Sequence, residues 1–213
     1  MKTLLKIVAV LIIIIIGILY YLYYQMSYTP DWYDKNDSNH IKNIISSSDN
    51  VDNKITMKLN SGLPVEINSD ELSAVIVSNA KNQLLINLEK VIKGINTKIT
   101  TNKITVESVV NIKNIPMSQI PPDLRDAFKK FLDTIPGDVV ENFYIKFEGI
   151  PKSKNGQLQF DEQSFIQLGK IKYSIDELSE KYIDEQLGNK YKHFNTIPFT
   201  SLMLNEGYLK IIP

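Results

Sequence analysis

The chain has 213 residues, and its 24 basic side chains balance its 24 acidic ones, so its formal net charge is zero. This balance argues against a nucleic acid or another polyanion as a partner. The sequence contains no cysteine, which excludes disulfides, thiolate metal sites and cysteine nucleophiles.

The N-terminal stretch predicts a transmembrane helix. From Ile7 to Tyr24, 18 consecutive residues carry no charge, and a helix of about 20 residues spans the roughly 30 Å hydrocarbon core of a bilayer. Tyrosines cluster at the end of this stretch, as in an interfacial aromatic belt. We therefore predict a membrane anchor within residues 1–26, with anchor positions at Leu4, Ile7, Ile12, Ile16, Leu19 and Tyr24.

The flanking charges predict the orientation of this anchor. Lys2 and Lys6 precede the apolar stretch, and the first basic residue after it is Lys35. The positive-inside rule then leaves the N-terminus in the cytoplasm and the rest of the chain outside a single-pass cell membrane protein. The alternative is a cleaved signal peptide, but the apolar stretch is long and no cleavage pattern of small residues follows it.

Residues 27–54 are predicted to be a stalk followed by a mobile segment. A short helix is expected over residues 38–45, and the run from Ser46 to Asn50 is expected to end it. The extracytoplasmic domain is then predicted to cover residues 55–213.

The domain is predicted to open with two strands and a capped helix. Ile55, Met57 and Leu59 alternate with polar residues, which is typical of a strand, and a second short strand is expected at 65–67. Asn68 and Glu71 have the spacing of a capping box at the start of the following helix.

The remainder is predicted to alternate hairpins with helices. We expect a hairpin over 95–112, a helix over 121–135, a hairpin over 143–169, a helix over 174–187 and a hairpin over 201–212. Hairpins make antiparallel sheet, and helices with one apolar stripe must cover it. The predicted class is α+β: an N-terminal transmembrane helix, then a curved antiparallel sheet of hairpins with covering helices. A gap between these helices would be an apolar groove.

Four segments carry a family resemblance: Val65–Leu72, Ile120–Leu124, Asn155–Leu158 and Asn205–Ile211. In their order after an N-terminal span, they resemble the YpmS-like bacterial membrane-anchored proteins of unknown function and the wider set of tubular-lipid-binding-like envelope domains. The resemblance covers roughly residues 55–213. It implies a lipid or other apolar ligand but transfers no binding residues, and the Ser/Asn-rich segment at 46–53 departs from it.

Catalytic and metal motifs are not found in the sequence. The two histidines, His40 and His193, have no metal-ligand partner at helical spacing. The acidic pairs Asp161-Glu162 and Asp184-Glu185 do not converge within themselves, because neighbouring residues point apart on a strand or a helix. We predict that the chain is not an enzyme and uses no cofactor or metal.

Apolar ligand binding is the leading functional hypothesis, with membrane lipid as the expected ligand class. Its candidate lining is a set of phenylalanines on predicted apolar faces, for which plain core packing is the competing interpretation. The second hypothesis is an interaction or structural module for an envelope protein, and the third is a hydrolase with an unrecognised site. The candidate lining residues are Phe128, Phe131, Phe143, Phe147, Phe160 and Phe165.

Overall fold

The computed structural model of the chain describes residue 17 and residues 20–35, 39–84, 87–120, 122–154, 157–175 and 201–213. It is a mixed fold of helices and antiparallel sheets. The predicted α+β class is therefore confirmed.

The first long helix, α1, runs over Asn39–Asn60. Two predictions for this stretch are wrong. The serine-rich run at 46–50 does not end a helix, because α1 continues through it, and the residues from Ile55 to Leu59 are helical rather than a strand. Helix α1 thus crosses the predicted boundary between the mobile segment and the domain.

Helix α2 begins where its capping box predicts. The backbone N–H of Glu71 donates to Asn68 Oδ1 at 2.9 Å, and the backbone N–H of Asn68 donates to Glu71 Oε2 at 3.1 Å. This reciprocal pair satisfies two donors that a helix N-terminus otherwise leaves free. The helix covers Ser69–Leu84 and is followed by the short helix α3 over Leu88–Val91.

Seven of the described strands lie between α3 and residue 175: β2 Ile92–Ile99, β3 Ile104–Val110, β4 Phe143–Gly149, β5 Pro151–Lys154, β6 Gln157–Phe160, β7 Phe165–Leu168 and β8 Ile171–Ser174. Five of them form the antiparallel main sheet, in the order β2-β3-β4-β7-β8. The expected hairpin of β2 and β3 is confirmed, and its first strand contains a register shift between Ile92 and Gly94. The sequence does not predict that β5 and β6 form a separate hairpin. Among the described strands these two pair with each other alone, and β4 pairs with β7.

A smaller sheet joins the two ends of the domain. Strand β1, Val65–Asn68, pairs with β10, Tyr208–Ile212, which forms the expected closing hairpin with β9, Ser201–Asn205. Gly207 turns this hairpin with a φ of +83°, a conformation that favours glycine. The partner of β1 is thus the C-terminal strand and not a strand before it.

Two helices lie between β3 and β4. Three short 3-10 turns, at Ile112–Asn114, Met117–Gln119 and Pro122–Leu124, lead into helix α4, Arg125–Thr134, and α5 follows over Gly137–Glu141. The predicted helix near 121–135 is confirmed with these bounds. The helix predicted over 174–187 falls almost entirely within residues 176–200, which lie outside the described residues.

The apolar face of the main sheet carries the core. Toward β2 it packs against α1 and α2, in a cluster that contains Ile41, Ala74 and Ile95. Toward the other end it packs against α4 and α5, in a cluster that contains Val139 and Phe143. The predicted helix-covered antiparallel sheet therefore describes this face of the molecule.

Candidate functional site

Residues 20–34, called here the aromatic segment, overlap the end of the predicted anchor and pack against the sheet. Residues 20–26 of the segment are helical. At the β7–β8 turn, the backbone N–H of Lys170 donates to Gln25 O at 2.7 Å, and Lys170 Nζ lies 3.6 Å from the Tyr24 ring centroid. Met26 joins the apolar cluster of α4, α5 and the sheet. The end of the predicted anchor, at residues 24–26, is therefore docked against the domain.

Gly169 makes this docking sterically feasible. Its φ is +59°, and a Cβ built on it would lie 2.8 Å from Met26 Cα and closer still to Gln25 O. Both obstacles are backbone atoms, which cannot rotate away as a side chain can. The turn can thus accept the aromatic segment only with glycine at this position.

The segment then crosses to the other face of the sheet. The Tyr28 and Tyr144 rings meet edge to face with centroids 4.8 Å apart. Tyr144 is opposite Val109, and Val109 is opposite Gly94, so the three share this face. Tyr144 is 1% exposed and Val109 is 0% exposed. These values place the contact among the best-buried parts of the molecule.

Trp32 and Tyr33 cover the Gly94 end of the same face. A Cβ on Gly94 would lie 3.0 Å from Tyr33 Cδ2 and 3.1 Å from Trp32 Cζ3, so glycine permits the close approach of both rings. Tyr33 Oη donates to Asn142 Oδ1 at 3.3 Å. Burial, helped by the nearby charge of Asp34, raises the pKa of Tyr33.

A tyrosine–carboxylate pair lies beneath the aromatic segment. Tyr144 Oη donates to Glu107 Oε1 in a short hydrogen bond, and Asn96 Nδ2 donates to Glu107 Oε2 at 3.3 Å. Burial, reinforced by this bond to Glu107, raises the pKa of Tyr144 well above its ordinary value. Tyr144 thus keeps its proton at neutral pH and acts as a donor that holds Glu107 in place.

A first cleft, of about 260 Å³, opens between the aromatic segment, the start of α1 and β2. Among the described strands, β2 is one of the two edge strands of the main sheet, and it lines the cleft with four consecutive residues, 93–96. Trp32, Tyr33 and His40 form the opposite wall. The Nε1 atom of Trp32 is buried and has no hydrogen-bond partner among the described residues. The cleft therefore combines an edge strand with aromatic and polar groups.

A second cleft, of about 340 Å³, lies on the other side of His40, between α1 and the start of α2. Its lining includes Asn43, Ser47 and the capping residues Asn68 and Glu71. Burial alone would raise the pKa of Glu71, but hydrogen bonds from Lys54 and from the Asn68 N–H outweigh it and hold this pKa below its usual range. Glu71 thus caps α2 and joins it to α1 through Lys54.

The six phenylalanines predicted to line an apolar cavity do not meet in one place. Phe131 packs edge to face on the buried Phe143, and Phe147 packs edge to face on Phe160, which is exposed to water. The other two are Phe128, half-buried on α4, and Phe165, whose ring contacts Lys146 and Lys172 on the polar face of the sheet. Neither cleft described above is lined by any of the six.

The predicted polar candidates are also dispersed. His40 is exposed at the mouths of both clefts, and His193 lies outside the described residues. Asp161 forms an ion pair with Lys152 and accepts the Gln163 backbone N–H, so it does not act together with Glu162. Within the part of the chain that is described, no three His, Asp or Glu side chains are grouped to hold a metal ion.

Most of the predicted membrane anchor lies outside the described residues. This applies to Leu4, Ile7, Ile12, Ile16 and Leu19, whereas Tyr24 is described and contacts Lys170. Among the described helices, none has both the length and the apolar character needed to span a bilayer.

The docking of the aromatic segment was not predicted from the sequence. The clustering of Tyr28, Trp32 and Tyr33 was visible, but it was interpreted only as an interfacial belt. A second signal is Gly169, the last residue of the hairpin predicted over 143–169. Neither the aromatic cluster nor Gly169 by itself shows that the segment would pack against the β7–β8 turn.

Fold and site together define an α+β domain with an aromatic segment docked across its sheet. Comparisons with models of protein families, with curated proteins and with solved structures yield no match for this chain. The resemblance to YpmS-like proteins stays a prediction.

Proposed function

We propose that this chain is a single-pass, membrane-tethered protein whose extracytoplasmic domain binds an envelope partner through its surface, without catalysis. The docked aromatic segment carries the proposal. A segment fixed at Gly169, Tyr144 and Gly94 would hold the domain at a constant, short distance from the end of an anchor that precedes it. A free stalk of the same length would not.

The first cleft is the proposed binding surface. Its floor is the edge strand β2, and edge strands present unpaired backbone groups to which an extended peptide can add. The wall of Trp32 and His40 offers an aromatic surface and polar groups beside that edge. An extended segment of a partner protein is therefore the ligand class that this geometry supports best.

An internal lipid site has less support. Ligand sites for apolar molecules are usually enclosed by apolar and aromatic side chains, whereas the two described clefts are open and contain charged or amide groups such as Lys93, Asn96 and Asp70. Each buried CH₂ of an acyl chain would contribute about 0.8 kcal/mol only where apolar walls surround it. We therefore place the interaction module ahead of lipid binding.

The tethered topology can be tested with a single introduced thiol, since the chain has no cysteine of its own. Met57 on α1 is 70% exposed and suits the substitution Met57→Cys. In intact cells, a membrane-impermeant maleimide should label this variant. Labelling that occurs only after the cells are broken would contradict the proposed orientation.

The binding surface can be tested by photo-crosslinking in the same cells. A photoreactive amino acid in place of His40 would lie at the cleft, and one in place of Met57 would lie on the same helix away from it. We expect one discrete adduct from the His40 position and none from the Met57 position. Equal adducts at both positions, or none at either, would argue against a partner at this cleft.

A further inference from the structure

Helix α4 carries an apolar stripe of which only one half is covered. Toward its C-terminal end, Phe131 and Leu132 pack into the cluster with Val139 and Phe143. Toward its N-terminal end, Leu124 is 41% exposed and no residue of the helix is fully buried. A stripe of this kind normally faces a core, so the uncovered half lacks a partner within the described residues.

The turns before α4 enlarge this uncovered apolar surface. Met117 is 38% exposed, and Ile120 is half-buried. Arg125 Nε donates to Ile120 O at 3.0 Å, which fixes these turns against the start of the helix. Exposed apolar residues this close in sequence, on turns held to the start of a helix, suit a contact surface.

The aromatic segment connects this surface to the predicted membrane anchor. Met26 packs in the cluster that contains Phe131 and Leu132, and Tyr23 Oη donates to Asp138 Oδ2 at 3.3 Å, at the start of α5. Residues 20–24, at the end of the apolar stretch, have exposed apolar and aromatic side chains. Tyrosines in such a position sit at the headgroup level of a bilayer, and Tyr23 precedes Met26 by about one helical turn.

We infer that α4 lies on the outer surface of the bilayer, with Leu124, Met117 and Phe128 immersed among the lipid headgroups and upper acyl chains. The inference rests on the tether of the proposed function. Interfacial helices bind lipid by their apolar face and keep their charged face in water. Here that charged face mixes both signs, with Asp126, Lys129, Lys130 and Asp133.

Because the charges of α4 nearly cancel, the contact should depend on apolar insertion more than on anionic lipid. Vesicles of pure phosphatidylcholine are therefore a sufficient probe. Adding phosphatidylglycerol should change the depth of Leu124 little, and a contact that appears only with the anionic lipid would contradict this mode of binding.

The test uses the full chain reconstituted in phosphatidylcholine vesicles, with single thiols introduced as Leu124→Cys, Met57→Cys and Ile12→Cys. Each thiol carries a bimane label, and the lipids carry a nitroxide quencher. We expect the Leu124 label to be quenched at least about twofold more strongly than the Met57 label, since only an interfacial residue approaches the lipids. Circular dichroism of each variant checks that the fold is retained.

The Ile12 label separates the two proposals. Strong quenching at Ile12 with equal, weak quenching at Leu124 and Met57 would overturn the inference and leave the tether intact. No quenching at Ile12 would overturn the tether and, with it, this inference. A Leu124 label that is shielded from both the lipid quencher and aqueous iodide would show that a protein covers α4, which also overturns it.

Discussion

Gly169 leaves no room for a side chain where the β7–β8 turn meets the backbone of the aromatic segment. Replacing it with alanine should cost about 1–2 kcal/mol for the left-handed conformation alone, and more because the new Cβ would overlap backbone atoms of Gln25 and Met26. We expect Gly169→Ala to lower the free energy of unfolding and to undock the segment. Trp32 is the only tryptophan in the chain, so a red shift of its emission reports the undocking directly.

Gly62→Ala is the matched control for this substitution. Gly62 has a φ of +71°, close to that of Gly169, but a Cβ there meets nothing within 4 Å. The Gly62→Ala substitution should therefore lower the free energy of unfolding only by the conformational strain, and it should leave the Trp32 emission unchanged. Urea unfolding could instead give the same loss of unfolding free energy for both variants, with the Trp32 emission unchanged in each. The close contact at Gly169 would then not be what holds the segment.

The residue scale also shows which site features the sequence reveals. Reciprocal hydrogen bonds at Asn68 and Glu71 follow from local spacing, and they occur as predicted. The Tyr144–Glu107 bond joins residues 37 positions apart. Such a bond depends on strand register, which no local pattern of tyrosine or glutamate encodes.

At the scale of elements, α1 shows why periodicity alone can mislead. Ile55 and Leu59 are buried and Met57 is exposed, a pattern that fits a strand of period two. A helix gives the same pattern, because residues four apart share one face and the residue midway points away. Three residues of alternation could not separate the two structures, and only the longer spacing from Ile41 to Leu59 does so.

The wrong prediction that the serine run at 46–50 ends a helix has a different cause. Serine favours caps and turns because its hydroxyl competes for backbone groups. In α1 the hydroxyls of Ser46, Ser47 and Ser48 each donate to the carbonyl three residues earlier, so they are satisfied without breaking the helix. Ser48 is fully buried, and its small size lets α1 pack closely at that point.

The junction of α1 and α2 has a predictable pH dependence. Glu71 accepts from Lys54 Nζ at 2.7 Å and from the Asn68 N–H, and its pKa is lowered in the folded state. A carboxylate with a lowered pKa stabilises the fold fully above its ordinary pKa of about 4.3, and this contribution is lost as the pH falls through the folded value. Glu71→Gln should therefore reduce stability at pH 7 and flatten its decline toward acid.

The expected loss at pH 7 is small, about 0.5–1 kcal/mol, because Lys54 is exposed to solvent. Urea unfolding of both proteins between neutral and acidic pH measures it. Glu66→Gln is the control, since the Glu66 ion pair with Lys210 is more exposed and caps no helix. A difference in free energy of unfolding between Glu71→Gln and the unmodified chain that stays constant from neutral to acidic pH would contradict this role of Glu71.

At the scale of the whole molecule, local patterns predicted most elements but not how distant ones join. The hairpins of β2 with β3 and of β9 with β10 follow from alternation around a turn. The pairing of Val65 with Ile211 joins the first and last strands of the domain. This pairing gives β1 a hydrogen-bonded neighbour and brings Val65, Ile67 and Ile211 into one apolar cluster, and no local pattern specifies such a long-range partner.

The aromatic segment should act as part of the domain and not as a linker to it. Two chains test this, one beginning at Tyr20 and one beginning at Asn36. The shorter chain loses the half-buried side chains of Met26, Tyr28 and Trp32 from the sheet. Full burial of a side chain of this size contributes about 1.5–3 kcal/mol, so each of these contributes less. Ordering the segment offsets part of that gain, so the chain beginning at Asn36 should be less stable by about 1–3 kcal/mol. Urea unfolding followed by far-UV circular dichroism gives both free energies without relying on Trp32. As a control, Tyr21→Ala in the longer chain removes an exposed ring and should change the free energy of unfolding little. Equal free energies of unfolding for the two chains would mean that the segment contacts the domain without stabilising it.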